Sequence, residues 1–320
     1  MKAIVYTRYG PPEVLQLKEV AKPTPKDDEV PIKVQAVSVN RSDWEGLTGK
    51  PLYARIGGFL RPRQQILGSD IAGRVEMAGR NVRRFQPGDE VFGDILPRLG
   101  GFAEYVCARE SALTLKPASM TSEEAAAIPQ AAVIALQGIR DKGQVQPGQK
   151  VLTNGAGGGA GTFAVQLAKL YGAEVTGIDN TGKLDFMRSL GADYVIDYTR
   201  EDFTKNGKKY DLILDIVAHR SVFAYKRALR FNGSYFLTGG SVATIFQILL
   251  LGPWISMIES KRMRVLAVRP NLKDMVYITE LYEAGKVVPV IDRRYPLSEV
   301  PEALRYIGEG RTKGKVVITV

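Results

Sequence analysis

Residues 150–161 read KVLTNGAGGGAG, a glycine-saturated turn between a short apolar run and an apolar helix pattern. Val151 and Leu152 lead in, and Phe163, Ala164, Val165, Leu167 and Ala168 follow. Glycine lets backbone N–H groups approach an anion closely, and a helix starting there offers unpaired donors and its positive dipole end. The run Gly155, Ala156, Gly157, Gly158, Gly159, Ala160 and Gly161 therefore predicts a phosphate cradle. Its glycines are spaced G-x-x-G-x-x-G over Gly155, Gly158 and Gly161, whereas a G-x-G-x-x-G register would put Ala156 at the first glycine. Thr162 follows Gly161 and no Gly-Lys-Ser/Thr occurs, which disfavours a Walker-type loop. On the loop alone, a plain glycine-rich turn remains the alternative.

The residues that follow decide between these. Strand-like runs at 173–178, 194–197, 210–217, 234–240 and 264–268 alternate with helical stretches near 182–190, 200–206, 221–230 and 244–258. Such alternation predicts a Rossmann-type, doubly wound parallel sheet, with the ligand crevice beyond the carboxyl ends of its strands. The second strand ends at Asp179, close to the roughly 20-residue spacing at which an acid binds adenosine ribose hydroxyls. Loop, strand, helix and acid together point to a nicotinamide dinucleotide.

The chain has 320 residues, enough for two domains. Its 45% apolar and 24% charged content is that of a soluble globular protein. A single cysteine excludes an internal disulfide, and no leader or lipidation motif is visible, so the expected setting is the reducing cytoplasm. Cys107, in the alternating run FAEYVCA, reads as a small buried hydrophobe. The apolar stretch Val242 to Ile258 is interrupted by Gln247 and by Gly252-Pro253, and barely reaches a spanning length. It predicts a buried or lid-forming helix pair, with peripheral membrane or partner contact as the lesser alternative. The net charge is +10, but the basic residues alternate with acids and no RNA-binding module occurs. The charge reads as a solvated basic face rather than a nucleic-acid surface.

Residues 1–120 are patterned as short strands punctuated by Pro and Gly, as in VPIKVQAVSV (30–39), DIAGRVEMAG (70–79) and GDEVFGD (88–94). TSEEAAAIP opens a helix in which Thr121 can cap and Glu124 sits three residues on. This places one domain at 1–124 and 286–320, joined by the terminal strand GKVVITV, and a dinucleotide-binding domain at 125–285.

The chain resembles the medium-chain dehydrogenase/reductases, in their zinc-independent quinone oxidoreductase (zeta-crystallin-like) branch. The likeness is carried by VNRSDWEGLTG (39–49), ILGSDIAGRV (66–75), residues 145–173, RSLGADYVIDYTREDF (188–203) and the tail from Gly285. The resemblance implies a GroES-like, mostly-β catalytic domain, a Rossmann domain, an active cleft where they meet, and homodimers. It also implies an NAD(P)H-dependent oxidoreductase acting on quinones or α,β-unsaturated carbonyls. An alcohol dehydrogenase-type activity and a cofactor-gated binding protein, crystallin-like or RNA-binding, are the alternatives. A catalytic zinc needs three protein ligands, and only Cys107 and His219 offer soft donors. In zinc-dependent relatives a cysteine stands where Asn40 is, and His-Glu where Ser69-Asp70 is, so no metal is expected.

By the same resemblance, Asn40, Asp43 and Trp44 line the catalytic site. Asn40 donates its amide, Asp43 either orients it or forms a turn, and Trp44 offers an apolar wall. Tyr53 is the candidate hydroxyl donor, in a loop, PLYARIGGFLRPR, that reads as a lid. Gly239 and Gly240 pass near the nicotinamide, and Asn271 and Lys315 are further cofactor contacts. Ile134 stands where relatives often carry Thr, and His219 where they often carry Gly. Cofactor choice stays open. The family favours NADP(H), with Lys183 and Tyr198 at positions that surround the 2′-phosphate and Asn180 replacing a frequent serine, whereas Asp179 favours NAD(H).

Overall fold

The computed structural model describes residues 1–56 and 58–320. They form two compact units: residues 1–130, 270–283 and 289–320, and residues 131–269 with 284–288. In chain order the first unit has β1 (Lys2–Val5), β2 (Gln16–Glu19), β3 (Glu29–Val39), α1 (Arg41–Thr48), β4 (Asp70–Val75), β5 (Glu90–Asp94), β6 (Tyr105–Arg109), β7 (Leu113–Leu115) and α2 (Ser122–Ala126). The helix α3 (Pro129–Leu136) leads into the second unit. There follow β8 (Lys150–Asn154), α4 (Gly159–Leu170), β9 (Glu174–Asp179), α5 (Leu184–Ser189), β10 (Tyr194–Asp197), β11 (Tyr210–Asp215), α6 (Val222–Ala228), β12 (Leu229–Leu237), α7 (Val242–Ile258) and β13 (Arg262–Val265). The chain then returns to the first unit through α8 (Leu272–Glu283), β14 (Ile291–Pro296), α9 (Val300–Gly308) and β15 (Lys315–Thr319).

The first unit is built on a sheet ordered β14-β15-β3-β4-β5-β7, with β6 also paired to β3. β3 is buried along most of its length, as a central strand must be, and β15 lies antiparallel to it with Val316 opposite Val39. Ile32, Val34, Ile71, Val91, Phe102, Leu304, Val316 and Ile318 form its core. Each such side chain contributes roughly 1.5–3 kcal/mol by leaving water. At the start of α2, Thr121 Oγ1 accepts from the Glu124 N–H and Glu124 Oε2 accepts from the Thr121 N–H, the reciprocal cap expected from TSEE. The helix α8 belongs to this unit, where Tyr282 donates to the Ser119 carbonyl, and not to the dinucleotide unit in which the sequence reading had put it.

The second unit is a six-stranded parallel sheet in the order β10-β9-β8-β11-β12-β13. Strand order reverses between β8 and β11, and the glycine loop leaves the carboxyl end of β8 at that switch point. Leu152, Ile178, Ile213, Tyr225, Tyr235 and Met263 fill its core.

Three local expectations fail. Residues 200–206 form turns rather than a helix, because Asp202 Oδ1 accepts from the Thr204 N–H (3.0 Å) and hydroxyl (2.7 Å) and so competes with helical bonding. The stretch 242–258 is one continuous helix that contains Pro253, not a helix pair. Its Gly252 does not stop the helix; a Cβ there would lie 2.3 Å from the Met263 carbonyl, so glycine admits the neighbouring strand. Cys107 is half-buried rather than buried, with Sγ 3.7 Å from the Pro23 carbonyl oxygen.

Candidate functional site

In the turn after β8, backbone or close packing requires glycine at some positions but not at 158. Gly155 has φ +84°, which disfavours any side chain. A Cβ on Gly161 would sit 2.1 Å from the Gly155 carbonyl oxygen, so α4 could not close on the turn. Gly157 is pressed against Lys183 and Asp179. Gly158, by contrast, is extended (φ −94°, ψ −178°), and a Cβ there would meet only the Gly155 oxygen at an ordinary 3.4 Å. Packing gives no reason for glycine at 158. The space it leaves lies at the N-terminus of α4, where a pyrophosphate finds backbone donors and the helix dipole.

Beside this cradle, Asp179 ends β9 with both carboxylate oxygens engaged. Oδ2 accepts from the Gly157 N–H at 3.1 Å, and Oδ1 accepts from the Asn180 N–H at 2.9 Å. Lys183 Nζ stands 3.2 Å from Oδ1, and both side chains are buried. The lysine is thus the cation that screens the carboxylate. Asn180 caps the short turn Thr181–Lys183 by accepting from the Gly182 N–H. Tyr198 is half exposed, and its backbone N–H donates to the Asp179 carbonyl. Sequence reasoning missed Asp197, which ends β10 and accepts from the Thr181 and Thr199 hydroxyls; these bonds hold its carboxyl below the usual range. It also missed Asp215 at the end of β11. That carboxylate accepts from Asn154 Nδ2 (2.8 Å) and Tyr235 OH (3.0 Å), tying three adjacent strands together, and burial pushes it up to about 6.

After β12, Gly239 and Gly240 run against the 216–218 segment. A Cβ on Gly240 would lie 2.2 Å from the Ala218 carbonyl oxygen, so backbone packing alone accounts for this pair. His219 is exposed and Ile134 half-buried.

In the first unit, Asn40 follows β3 and starts α1. Its Oδ1 accepts from Lys315 Nζ at 2.6 Å, and its Nδ2 donates to Asp70 Oδ2 at 2.9 Å. Asp70 also accepts from the Gln130 N–H, and Lys315 Nζ lies 3.7 Å from Asp70 Oδ2. Burial drives the Asp70 carboxyl upward and the Lys315 ammonium downward, each opposed by the other's charge. The amide of Asn40 is therefore held in one orientation, with its second N–H unbonded among the described residues. Lys315 is buried and bonded to Asn40 and Asp70, which gives it a positioning role toward that amide. Neither Asp70 nor Gln130 was foreseen.

Asp43 resolves the alternatives left open for it. Its carboxylate accepts from the Asn40 backbone N–H (2.8 Å) and the Gly68 N–H (2.9 Å), never from the Asn40 amide, and burial raises it to about 6. It pins the start of α1 to the segment before β4. Trp44 is half-buried, and a Cβ on Gly308 would fall 2.5 Å from its ring, so one face of the indole packs on α9. Tyr53 is 42% exposed, with its hydroxyl 3.5 Å from Glu45 Oε2. Burial and the Glu45 charge raise its pKa. The lid expected around Tyr53 includes Gly57, which lies outside the described residues. Asn271 caps the start of α8, its Oδ1 accepting from the Asp274 N–H at 2.9 Å. Among the described residues, no group of three or more His, Cys, Asp or Glu side chains is placed to hold a metal ion.

Comparison with known proteins agrees with this arrangement. The alcohol dehydrogenase GroES-like domain family matches residues 26–118, and the zinc-binding dehydrogenase family residues 190–318. The 2-methylene-furan-3-one reductase of Solanum lycopersicum is 35% identical over 99% of this chain and 79% of its own length. The chloroplastic quinone-oxidoreductase homolog of Spinacia oleracea is 33% identical over 99% of this chain and 98% of its own. The structure of the quinone oxidoreductase from Coxiella burnetii, 28% identical, superposes with a TM-score of 0.90 over 100% of this chain and 99% of that one. The chain belongs to the medium-chain dehydrogenase/reductase superfamily, in its quinone oxidoreductase branch.

Proposed function

We propose that this protein is a zinc-independent, NAD(P)H-dependent reductase of quinones or α,β-unsaturated carbonyls. The observation that carries the reading is the locked amide of Asn40. Its oxygen is taken by Lys315 and one N–H by Asp70, so what remains to it is one hydrogen-bond donor. A donor fixed in a desolvated surrounding stabilises negative charge developing on a carbonyl oxygen, without reorganising at the moment of reaction. A single amide suits a delocalised oxyanion, as formed from a quinone or enone, better than a localised alkoxide. When bound, the nicotinamide dinucleotide supplies the hydride. The glycine loop holds its pyrophosphate, with Gly158 giving the close approach. Tyr53 keeps its proton at neutral pH and is our candidate for the proton that completes the reduction. One Cys and one His make a poor zinc donor set, which supports the zinc-free reading.

On cofactor choice, we infer that both dinucleotides are accepted. Asp179 can meet a ribose hydroxyl, while Lys183 beside it supplies the cation that a 2′-phosphate needs. Homodimeric assembly in a reducing compartment is our further reading, supported by the family and the single cysteine. The direct test follows nicotinamide absorbance while purified protein is offered NADH or NADPH against a panel of quinones, enones and simple aldehydes. Turnover of quinones or enones supports the reading. Turnover of aldehydes alone, or of nothing in the panel, sinks it.

A further inference from the structure

Ser38 on β3, Asp70 on β4 and Asp94 on β5 stand opposite one another in the strand register. Residues opposed across antiparallel strands share a face, with Cβ atoms about 4.5–5.5 Å apart, and like charges so placed repel. Asp70 is 0% exposed, and Asp94, at the end of β5, is half-buried. The Ser38 hydroxyl, also buried, has no hydrogen-bond partner among the described residues, so it donates to neither acid. Asp94 Oδ1 accepts from the Leu96 N–H at 2.9 Å. The cation beside the two acids is Lys315 on β15, 3.7 Å from Asp70 Oδ2.

One positive charge thus meets several negative ones. Asp43 on α1 is the third buried carboxylate that Lys315 faces, and its two backbone donors serve it separately. Burial raises the carboxyls of Asp70 and Asp94, and the Asp94 charge raises Asp70 further. The Lys315 charge opposes the rise in both. So do the Asn40 amide and the Gln130 N–H on Asp70, and the Leu96 N–H and the Gln130 side chain on Asp94. Lys315 can match only one of the two. Ionised together, Asp70 and Asp94 would leave a buried negative charge without a cation, and a group so placed takes up a proton instead.

We propose that Asp70 and Asp94 hold one proton in common, and that Asp94 is thereby a positioning residue for Asn40. With that proton the pair carries the single negative charge that Lys315 matches. The amide of Asn40 then keeps Lys315 on its oxygen and Asp70 on its Nδ2. Asp94, the half-buried member, is where the proton exchanges with solvent. Loss of the proton adds negative charge beside the amide and opposes the charge that the amide is there to stabilise. The effect on turnover rests on the reductase reading; the shared proton does not.

Infrared difference spectra of the whole protein, recorded without cofactor, read the proton through the C=O stretch of a protonated carboxyl. At about pH 7.5, above the values near 6 of Asp43 and Asp215, wild type should keep such a band and lose it at higher pH. Asp70→Asn and Asp94→Asn should each lose the band at pH 7.5, because the remaining carboxylate then has Lys315 to itself. The proposal falls if wild type shows no band there. It also falls if Asp94→Asn keeps the band, since burial of Asp70 would then hold the proton unaided. With an enone and NADH or NADPH, wild-type kcat should fall about ten-fold per pH unit above the apparent pKa of the pair. In Asp94→Asn that alkaline limb should be missing or lie about one unit higher or more. A loss of kcat by the same factor at every pH would make Asp94 merely structural and overturn the positioning role. If the bands behave as expected while no substrate turns over, the shared proton stands, and the reductase reading fails together with the role of Asp94 in it.

Discussion

Lys183 Nζ lies 3.2 Å from Asp179 Oδ1, and the pair is buried where the glycine loop meets the end of β9. Two residues that favour different dinucleotides when taken separately thus form one unit. Removing either member should expose the preference of the other. Asp179→Ser frees Lys183 for a 2′-phosphate and takes away the ribose acceptor, so NADPH should bind about ten-fold tighter relative to NADH. Lys183→Met leaves an unscreened carboxylate, and NADPH should lose at least as much. Fluorescence titration of both cofactors on the two variants checks this. Parallel changes for NADH and NADPH would remove the pair from cofactor selection.

The loop glycines should separate by role. Gly155→Ala forces a side chain into φ +84° and should cost about 1–2 kcal/mol of stability. Gly158→Ala meets only an ordinary contact and should leave the urea midpoint within about 0.5 kcal/mol of wild type. Its loss should appear as at least ten-fold weaker dinucleotide binding, seen by calorimetric titration, because the methyl occupies the space of the pyrophosphate. If Gly158→Ala binds cofactor normally, the phosphate lies elsewhere.

How much of this could be read from sequence depends on the range of the interaction. The glycine loop, β8 and α4 were legible because their signals sit within a dozen neighbouring residues, and the Thr121–Glu124 cap because it spans three. Residues 200–206 depart from the expected helix because the Asp202–Thr204 bonds compete with helical bonding. The Gly-Pro in α7 looked like a break, since only the packed strand shows that Gly252 makes room for Met263. Lys315 is 275 residues from Asn40, so no local pattern announces that its charge is spent on that amide and on Asp70. Family likeness could name Lys315 but not these two protein partners.

That partnership makes a prediction of its own. Lys315→Met leaves Asp70 buried without its cation, and the variant should lose about 3–5 kcal/mol in urea unfolding. Adding Asp70→Asn should recover most of the loss, because the orphaned charge is gone. In both variants kcat should fall, as Asn40 loses the bond that orients it, while the dissociation constant of the cofactor stays within about two-fold, the scatter expected when no direct contact is touched. Selective weakening of cofactor binding by Lys315→Met would instead assign Lys315 the direct cofactor contact that the resemblance implies.

Asp215 should leave its mark on the pH dependence of stability. Burial raises its carboxyl from the ordinary 3.8 to about 6. Between about pH 4 and 6 the folded chain holds this proton while the unfolded chain has released it, so this group makes folding less favourable as pH rises through that window. Above about 6 both states are ionised and its contribution is level, at a cost of order 2 kcal/mol relative to pH 4. Asp215→Asn cannot titrate. Its side-chain oxygen can still accept from Asn154 Nδ2 and the Val217 N–H, and its NH2 can face the Tyr235 hydroxyl. The difference in unfolding free energy between variant and wild type should therefore shift in favour of the variant by up to about 2 kcal/mol from pH 4.5 to pH 7. Denaturant titrations of both proteins at those two values measure it. A shift of the opposite sign would mean that the donors around Asp215 outweigh its burial and hold the carboxylate ionised in the folded protein.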